Sequence, residues 1–265
     1  MTNNMKLVCG ITTKNEDWII KKTLSVVSTF CNKIIILDDN STDKTEEICT
    51  LFEKVKFIKR KPRPNIWERK EAEGLLELFT ICTTFNPEYI LILDADEIPT
   101  PSFVDFFNKI YDNCYTDKAW SIRMINLYKN PQHYRIDRFT TKMGTNMNHD
   151  PFYNKGWRKT VLLKYNKNKK YLYNTDIQKG GTSKYHPLPQ NLTNVSQIED
   201  FYIIHYGKLN KKYISGEKDQ FYALIESKDN KGTYTQRLRH HYLCRTGSGP
   251  KGPEYKECNK NWLWE

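Results

Sequence analysis

The first hundred residues alternate between short apolar runs and amphipathic stretches, and this alternation constrains the fold more than any other feature. The apolar runs are "KLVCGITT", "KIIILDD", "VKFIKR" and "EYILIL", and they have the length and β-branched content of strands. The stretches between them carry apolar residues at helical spacing. Strands and helices that alternate in this way form crossover units, which build a parallel sheet. We therefore predict an α/β fold whose central sheet is mostly parallel and flanked by helices.

Polar and acidic residues follow three of the four predicted strands. In parallel sheets the carboxyl ends of the strands meet at one edge, and ligands bind there where the strand order reverses. The sequence therefore predicts a ligand site at this edge. Its candidate residues are Thr12, Asn15 and Glu16 after the first strand, Asp39 after the second, and Asp94 and Asp96 after the fourth.

The acids in "YILILDADEIP" are the most specific of these candidates. If the strand continues through Asp94 and Asp96, both side chains point to the same side. Two carboxylates that face one way repel each other unless a cation lies between them or they share a proton. Mg²⁺ and Mn²⁺ prefer such oxygen ligands, together with substrate phosphates. The chain has neither a GxGxxG nor a GxxxxGK[ST] motif, so a metal held by carboxylates is the predicted way to bind a phosphate ligand.

Three motifs, "ITTKNEDWIIKKTLSVV", "IIILDDNSTDKTEEI" and "YILILDADEIP", occur in this order within residues 5–105. Together they resemble the nucleotide-binding half of family 2-type glycosyltransferases, which have the Rossmann-like GT-A fold. The resemblance implies a nucleotide-sugar donor, with UDP as the first choice of nucleotide, and a Mn²⁺ or Mg²⁺ ion. It also implies transfer of the sugar to a hydroxyl acceptor, usually with inversion at the anomeric carbon.

The resemblance also implies roles for individual residues. Thr12 matches the residue that contacts uridine, and Asp39 matches the aspartate that hydrogen-bonds the nucleotide base. Asp94 matches the acid near the ribose and the metal, and Asp96 matches the direct metal ligand. Arg69, in "WERKEAEG", occupies the place of the basic residue beside the nucleotide, with the lysine that follows it as the alternative.

The pattern changes after residue 118. "AWSIRMINLYKN", "WRKTVLLKY" and "KKYLYN" indicate strands of a smaller mixed or antiparallel region on the acceptor side. We predict one compact domain with two functional halves, a nucleotide-sugar-binding half at 1–118 and an acceptor-binding half at 119–265.

Four further candidates lie in the second half. In related transferases a histidine in an "HYG"-like position completes the metal site, which implies His205 as a ligand, and imidazole does accept Mn²⁺. Lys218, in the predicted helix that follows, is a candidate contact to the diphosphate. Inverting transfer needs a base that takes the proton of the acceptor hydroxyl. Asp150 and Asp176 are equal candidates for that base.

Positive charge is concentrated in the second half. Residues 1–118 hold 16 Lys and Arg against 19 Asp and Glu, so the net charge of +11 for the chain leaves +14 for residues 119–265. One interpretation is a solvated lysine-rich surface. The other is an anionic acceptor, such as a phosphorylated compound, a lipid head group or an acidic glycan.

The apolar runs are too short to span a bilayer, and "MTNNMKLVCG" lacks the pattern of a signal peptide. Seven cysteines occur without a CxxC pair, which indicates buried thiols in a reducing compartment. We expect a soluble cytoplasmic protein that acts on a glycan, lipid or protein acceptor. Peripheral contact with a membrane is open under this hypothesis, and no nucleic-acid partner is expected.

Two alternative functions fit parts of the sequence. A nucleotidyltransferase that makes the activated sugar has a similar fold, but it usually carries a glycine-rich loop after the first strand. Here "ITTKNEDW" contains no glycine. A non-catalytic module that binds anionic ligands would account for the basic half, and its binding would weaken steeply with salt.

Overall fold

The computed structural model describes residues 5–62, 71–111, 118–140, 146–153, 158–172, 188–189, 191–192, 194–228, 233–246 and 253–264. The chain divides into two compact units. The first comprises Met1–Arg123, Arg158–Ile203 and Leu263–Glu265, and the second comprises Met124–Trp157 and Ile204–Trp262. These two units do not test the functional halves predicted from the sequence, 1–118 and 119–265, which stay a prediction.

Strands and helices alternate from β1 to β4, as the sequence predicts. The strands are β1 Met5–Thr13, β2 Lys33–Asp38, β3 Val55–Lys59, β4 Pro87–Asp94, β5 Glu97–Pro99, β6 Lys118–Asn126, β7 His133–Arg135, β8 Arg138–Thr140, β9 Asn146–Asn148, β10 Arg158–Lys164, β11 Asn194–His205 and β12 Tyr255–Glu257. The helices are α1 Ile20–Phe30, α2 Thr45–Cys49, α3 Glu71–Thr83, α4 Ser102–Tyr111, α5 Lys211–Ile214, α6 Glu217–Lys228 and α7 Tyr234–Thr246.

The main sheet has eight strands in the order β3-β2-β1-β4-β10-β6-β11-β5. The pairs β3–β2, β2–β1 and β1–β4 are parallel, whereas β10 is antiparallel to both β4 and β6. The α/β class is confirmed, and its parallel strands are those that alternate with helices along the chain. Small antiparallel sheets are present in the second unit, β7–β12 and β8–β9. The strands predicted in "AWSIRMINLYKN" and "WRKTVLLKY" are instead β6 and β10 of the main sheet.

Continuous apolar runs place the central strands in the core. Residues Ile34–Leu37 of β2 and Tyr89–Leu93 of β4 are each at most 1% exposed, as expected for parallel strands covered on both faces. Helix α3 lies so close to β1 that an added Cβ at Gly10 would lie 2.9 Å from Leu78 Cγ and 2.9 Å from Cys82 Sγ. The absence of a side chain at Gly10 therefore permits this contact between helix and sheet.

Several local predictions are wrong. β4 ends at Asp94, and Ala95 and Asp96 form a turn, so Asp94 and Asp96 do not continue one strand. The described part of "KKYLYN", residues 169–172, contains no strand, because Lys169 closes a turn onto Asn166. Trp18 precedes α1 and is 38% exposed, whereas Thr23, Val26 and Val27 of α1 are buried.

Aromatic side chains form a layer of the first unit. Phe103 and Phe106 of α4 pack against Phe201, at ring-centroid distances of 4.9 and 5.1 Å. Trp264 joins the unit from the far end of the sequence, because its indole Nε1 donates to the carbonyl of Pro99 at 2.7 Å. This bond holds Trp264 against the end of β5.

The second unit is built around a buried arginine. Arg135 is fully buried, and its guanidinium donates to both carboxylate oxygens of Asp137. His149 lies against the ring of Tyr128, with the centroids 5.8 Å apart. Burial lowers the pKa of His149 to about 4, and the charge of Arg135 contributes in the same direction against the opposing charge of Asp137.

Among the described residues, four cysteines are buried free thiols: Cys9, Cys31, Cys49 and Cys82. Burial raises the pKa of Cys82 well above its usual value, so its thiol stays protonated and unreactive. The buried-thiol prediction is confirmed for these residues. Across the described ranges, no helix combines the length and the apolar character that crossing a membrane requires.

We expect Gly10→Ala to destabilise the protein by about 1–3 kcal/mol, because the new methyl group overpacks the contact between β1 and α3. The matched variant is Gly74→Ala in α3, where the nearest atom to an added Cβ is the mobile end of Arg60 at 3.2 Å. That change should be neutral, or stabilising by up to about 1 kcal/mol, because alanine favours helices. Urea unfolding of the two variants measures the difference, and equal stabilities would contradict the packing argument.

Protonation of His149 should lower stability at acidic pH. Its pKa is about 4 in the folded protein and about 6.5 in an unfolded chain. Below pH 6.5 the unfolded state therefore binds a proton that the folded state does not bind, and stability falls until the pH approaches 4. In His149→Gln, the loss of unfolding free energy between pH 7 and pH 4.5 should be smaller by about 1–3 kcal/mol. Equal losses in urea titrations at the two pH values would contradict this linkage.

Candidate functional site

The strand order reverses at β1, which lies between β2 and β4. The chain runs outward from β1 to β2 and β3 on one side and continues with β4 on the other. Such a reversal leaves a crevice beyond the carboxyl ends of the strands. Thr12 of β1 pairs with Asp94 of β4, and the neighbouring Thr13 pairs with Asp38 of β2. The strand-end residues predicted from the sequence thus meet at one edge of the sheet.

The loop after β1 is tied to the segment after β2 by hydrogen bonds from backbone N–H groups to side-chain oxygens. Asn15 adopts a left-handed conformation with φ of 54°, which asparagine tolerates better than most residues. Its N–H donates to the hydroxyl of Ser41 at 2.8 Å, and its side-chain carbonyl accepts from the N–H of Thr42 at 2.8 Å. The N–H of Glu16 donates to the hydroxyl of Thr45 at 2.9 Å. Asn15 and Glu16 therefore shape the loop, and their contact with a donor stays a prediction.

The two aspartates of "DDNS" have different environments. Asp38 is fully buried, and its carboxylate accepts from both the N–H and the hydroxyl of Ser41, which closes the turn. The side chain of Asp39 is 22% exposed, with the Lys14 ammonium 3.5 Å and the Arg60 guanidinium 3.8 Å from its carboxylate. Asp38 thus holds the turn, whereas Asp39 presents a carboxylate at the edge.

The acid cluster at the end of β4 is organised by a buried lysine from β10. Lys159 Nζ lies 2.9 Å from Asp94 Oδ2 and 2.7 Å from each carboxylate oxygen of Glu97. The other oxygen of Asp94 accepts from the hydroxyl of Thr12 at 3.1 Å. Burial alone would lower the pKa of Lys159, but the charges of Asp94 and Glu97 outweigh it and raise this pKa above its usual value. Lys159 is therefore a fixed cation within the cluster.

Asp96 lies in the turn that follows β4 and is more buried than Asp94. Asp96 is 8% exposed, whereas the side chain of Asp94 is 50% exposed. The hydroxyl of Thr23 donates to the carbonyl of Ala95 at 2.6 Å, and this bond holds the turn against α1. β4 ends at Asp94, so the alternation of side chains along a strand does not extend to Asp96. Alternation therefore does not make the carboxylates of Asp94 and Asp96 point in the same direction.

The donor atoms of this cluster suit a hard divalent ion that arrives with a phosphate. In the part of the chain that the structure describes, no three His, Cys, Asp or Glu side chains form a group able to hold a metal. Mg²⁺ in nucleotide sites usually takes one or two protein carboxylates and completes its shell with substrate phosphates and water. The half-exposed carboxylate of Asp94 fits that arrangement. Metal binding at Asp94 and Asp96 stays a prediction.

Three predicted residues belong to the second unit. His205 ends β11, and its Nδ1 lies 2.5 Å from Asn126 Oδ1, a contact that favours the tautomer with the lone pair on Nε2. The carboxylate of Asp150 accepts from the Arg138 guanidinium at 3.2 Å and from the N–H of Phe152 at 2.9 Å. Lys218 lies half-buried in α6. Their predicted roles remain predictions.

Two further predicted residues, Arg69 and Asp176, lie outside the described residues. Sequence reasoning did not find Lys159. The signal in "RKTVLLK" is a lysine inside an apolar strand, which needs an acidic partner when it is buried. Its partner becomes visible only when β10 is known to pair with β4. β10 pairs with β4 from Leu162, which lies opposite Leu91, and Lys159 precedes this pairing and contacts Asp94.

The two aspartates after β2 should differ in their effect on stability. Asp38→Ala leaves two buried donors of Ser41 without an acceptor, so we expect a loss of about 2–4 kcal/mol. Asp39→Ala removes only partly exposed ion pairs, so we expect less than about 1 kcal/mol. Urea unfolding monitored by circular dichroism compares them. Equal losses would show that the carboxylate of Asp38 does not hold the turn.

Comparison with known proteins identifies relatives over part of the chain. An uncharacterised protein of Mycobacterium tuberculosis is 28% identical over 96 residues, which are 35% of this chain and 23% of that protein. The chain thus matches less than a quarter of the length of this relative.

Among solved structures, S. aureus TarS (residues 1–349) is similar over 91% of this chain and 71% of its own, at 14% identity and a TM-score of 0.46. Glucosyl-3-phosphoglycerate synthase of M. tuberculosis is similar over 48% of this chain and 45% of its own, at 18% identity and a TM-score of 0.31.

The family comparison covers the strand ends described above. The model for "Glycosyl transferase family 2" matches residues 9–142, which are just over half of the chain and include Thr12, Asp39, Asp94 and Asp96. The resemblance seen in the three sequence motifs is thereby confirmed. The chain belongs to glycosyl transferase family 2.

Proposed function

We propose that this protein transfers a sugar from a nucleotide-sugar donor, with UDP as the first candidate nucleotide, to a hydroxyl acceptor with inversion. The observation that carries the proposal is the meeting of Thr12, Asp39 and Asp94 at the reversal of strand order, within the region matched by the family model. A pocket at this place in a parallel sheet suits a nucleotide.

The nucleoside would bind at the β1 and β2 loops. Asp39 offers a carboxylate to the base, and Lys14 and Arg60 limit the directions that this carboxylate can take. Thr12 contributes to the nucleoside pocket and holds Asp94. Because Asp38 and Ser41 close the turn through buried bonds, Asp39 is presented on a rigid loop. Rigid presentation lowers the entropic cost of binding.

Asp94 and Asp96 would hold a Mn²⁺ or Mg²⁺ ion that is bound together with the donor diphosphate. When bound, such an ion stabilises the negative charge that grows on the nucleotide leaving group. His205 is the candidate third ligand, and Lys218 the candidate side chain for the diphosphate. Arg69 is the candidate basic residue beside the nucleotide.

A carboxylate near the acceptor would take the hydroxyl proton during transfer. Asp150 and Asp176 are the two candidates. The carboxylate of Asp150 already accepts a hydrogen bond from the Arg138 guanidinium at 3.2 Å. The net charge of +14 in residues 119–265 supports an anionic acceptor such as a phosphorylated or acidic glycan, a lipid head group or a modified protein.

A thermal-shift screen tests the proposal against its alternatives. UDP-, GDP- and other nucleotide-sugars are tested with and without Mn²⁺, because a ligand that binds the folded state raises the midpoint of unfolding. Stabilisation that needs both metal and nucleotide-sugar supports the transferase. A nucleotidyltransferase would respond to a nucleoside triphosphate and a sugar phosphate, and an anionic-ligand module would respond to polyanions in a salt-dependent way.

Asp96→Asn should abolish metal-dependent donor hydrolysis or transfer, with a rate reduced by at least about 100-fold, because the variant loses a charged metal ligand. The matched control is Asp105→Asn on the exposed side of α4, which should keep the natural rate. Release of nucleoside diphosphate measures both. Unchanged turnover in a folded Asp96→Asn protein would overturn the metal assignment.

A further inference from the structure

Glu97 and Lys159 contact Asp94 at two separate points. Lys159 Nζ donates to Asp94 Oδ2 at 2.9 Å, and Glu97 Oε2 accepts from the backbone N–H of Asp94 at 2.9 Å. Glu97 and Lys159 are themselves buried, at 1% and 2% exposure, and bonded to each other at 2.7 Å. Asp94 is half-exposed. The buried Glu97–Lys159 pair therefore holds Asp94, whose carboxylate is half-exposed.

We propose that the Glu97–Lys159 pair is a positioning device that orients the Asp94 carboxylate for a metal–diphosphate complex. The inference rests on the proposed function and extends it to two residues that act through Asp94. Thr12 already occupies one oxygen of Asp94, and Lys159 occupies the other. With both oxygens anchored, the carboxylate plane is set before a ligand arrives. Partners of this kind commonly change metal affinity 10- to 100-fold when they are removed.

The charges of Glu97 and Lys159 cancel each other. The single positive charge of Lys159 offsets the single negative charge of Glu97, so the net negative charge of the cluster is that of Asp94 and Asp96. A buried ion pair rarely adds stability over apolar residues of similar size, because desolvation offsets the attraction. Stability alone therefore does not explain why the buried Glu97–Lys159 pair is charged, whereas a role in orienting the Asp94 carboxylate does explain it.

The test is the double variant Glu97→Met with Lys159→Met. It removes one negative and one positive charge, so the net charge of the cluster is unchanged, and two unbranched side chains fill the space. The single variant Lys159→Met is unsuitable, because it leaves the carboxylate of Glu97 buried without its cation. Circular dichroism and urea unfolding verify that the double variant is folded.

The readout is Mn²⁺ affinity in the presence of saturating UDP, followed through the electron paramagnetic resonance signal of free Mn²⁺. We expect the double variant to bind Mn²⁺ at least about 10-fold more weakly than the natural chain. Lys164→Met is the matched control, because Lys164 lies on the same strand opposite Tyr89, at the other end of the β4 pairing. It should keep the natural affinity.

The Mn²⁺ affinities of the natural chain and the double variant decide whether Glu97 and Lys159 orient Asp94. Natural affinity in the folded double variant would reduce Glu97 and Lys159 to structural roles and overturn the inference. Tighter binding would overturn it too, because Lys159 would then compete with the metal for Asp94. If the natural chain binds no Mn²⁺ in the presence of saturating UDP, the proposed metal-dependent function itself fails. If the double variant does not fold, Lys159→Arg serves instead, because it keeps the charge and changes the three distances. Unchanged affinity in Lys159→Arg would then overturn the inference.

Discussion

The contact of the Lys159 ammonium with Asp94 and Glu97 is the interaction on which the edge of the sheet depends. Glu97 is 1% exposed, and a carboxylate at that depth needs a partner that compensates for the lost water. Its cation, Lys159, comes from β10, which is antiparallel to β4. The antiparallel insertion is therefore more than an extension of the sheet. It makes three acids within four positions compatible with a folded strand end.

On the other side of β1, the buried carboxylate of Asp38 in β2 has partners of a different kind. Asp38 is as buried as Glu97, but its partners are the N–H and the hydroxyl of Ser41, three residues along the chain. A local turn thus satisfies one buried acid, and a distant strand satisfies the other. In both places a more exposed acid lies nearby in the sequence, Asp39 next to Asp38 and Asp94 three residues before Glu97.

Local patterns were enough to predict the alternation from β1 to β4 and the edge where polar residues gather. These features depend on periodicity and on the general geometry of parallel sheets. The role of Lys159 depends on which strand lies beside β4, and residues 65 positions apart reveal no pairing in a single sequence. The turn at Asp96 was missed because alternation was extended beyond the last strand residue. The family resemblance pointed to Asp39, and the complete burial of Asp38 separates the two aspartates on physical grounds.

The hydrogen bond from Trp264 to Pro99 has a consequence for how the protein is made. It joins residues 165 positions apart, and Pro99 ends the strand that carries Glu97. During synthesis the acidic strand end emerges long before β10, and β10 emerges long before Trp264. Contacts of such long sequence separation form late and fold slowly, because loop closure must precede any gain from the contact. The bond between Trp264 and Pro99 therefore forms only after residues 99–264 have been synthesised, later than the contact between Glu97 and Lys159 becomes possible.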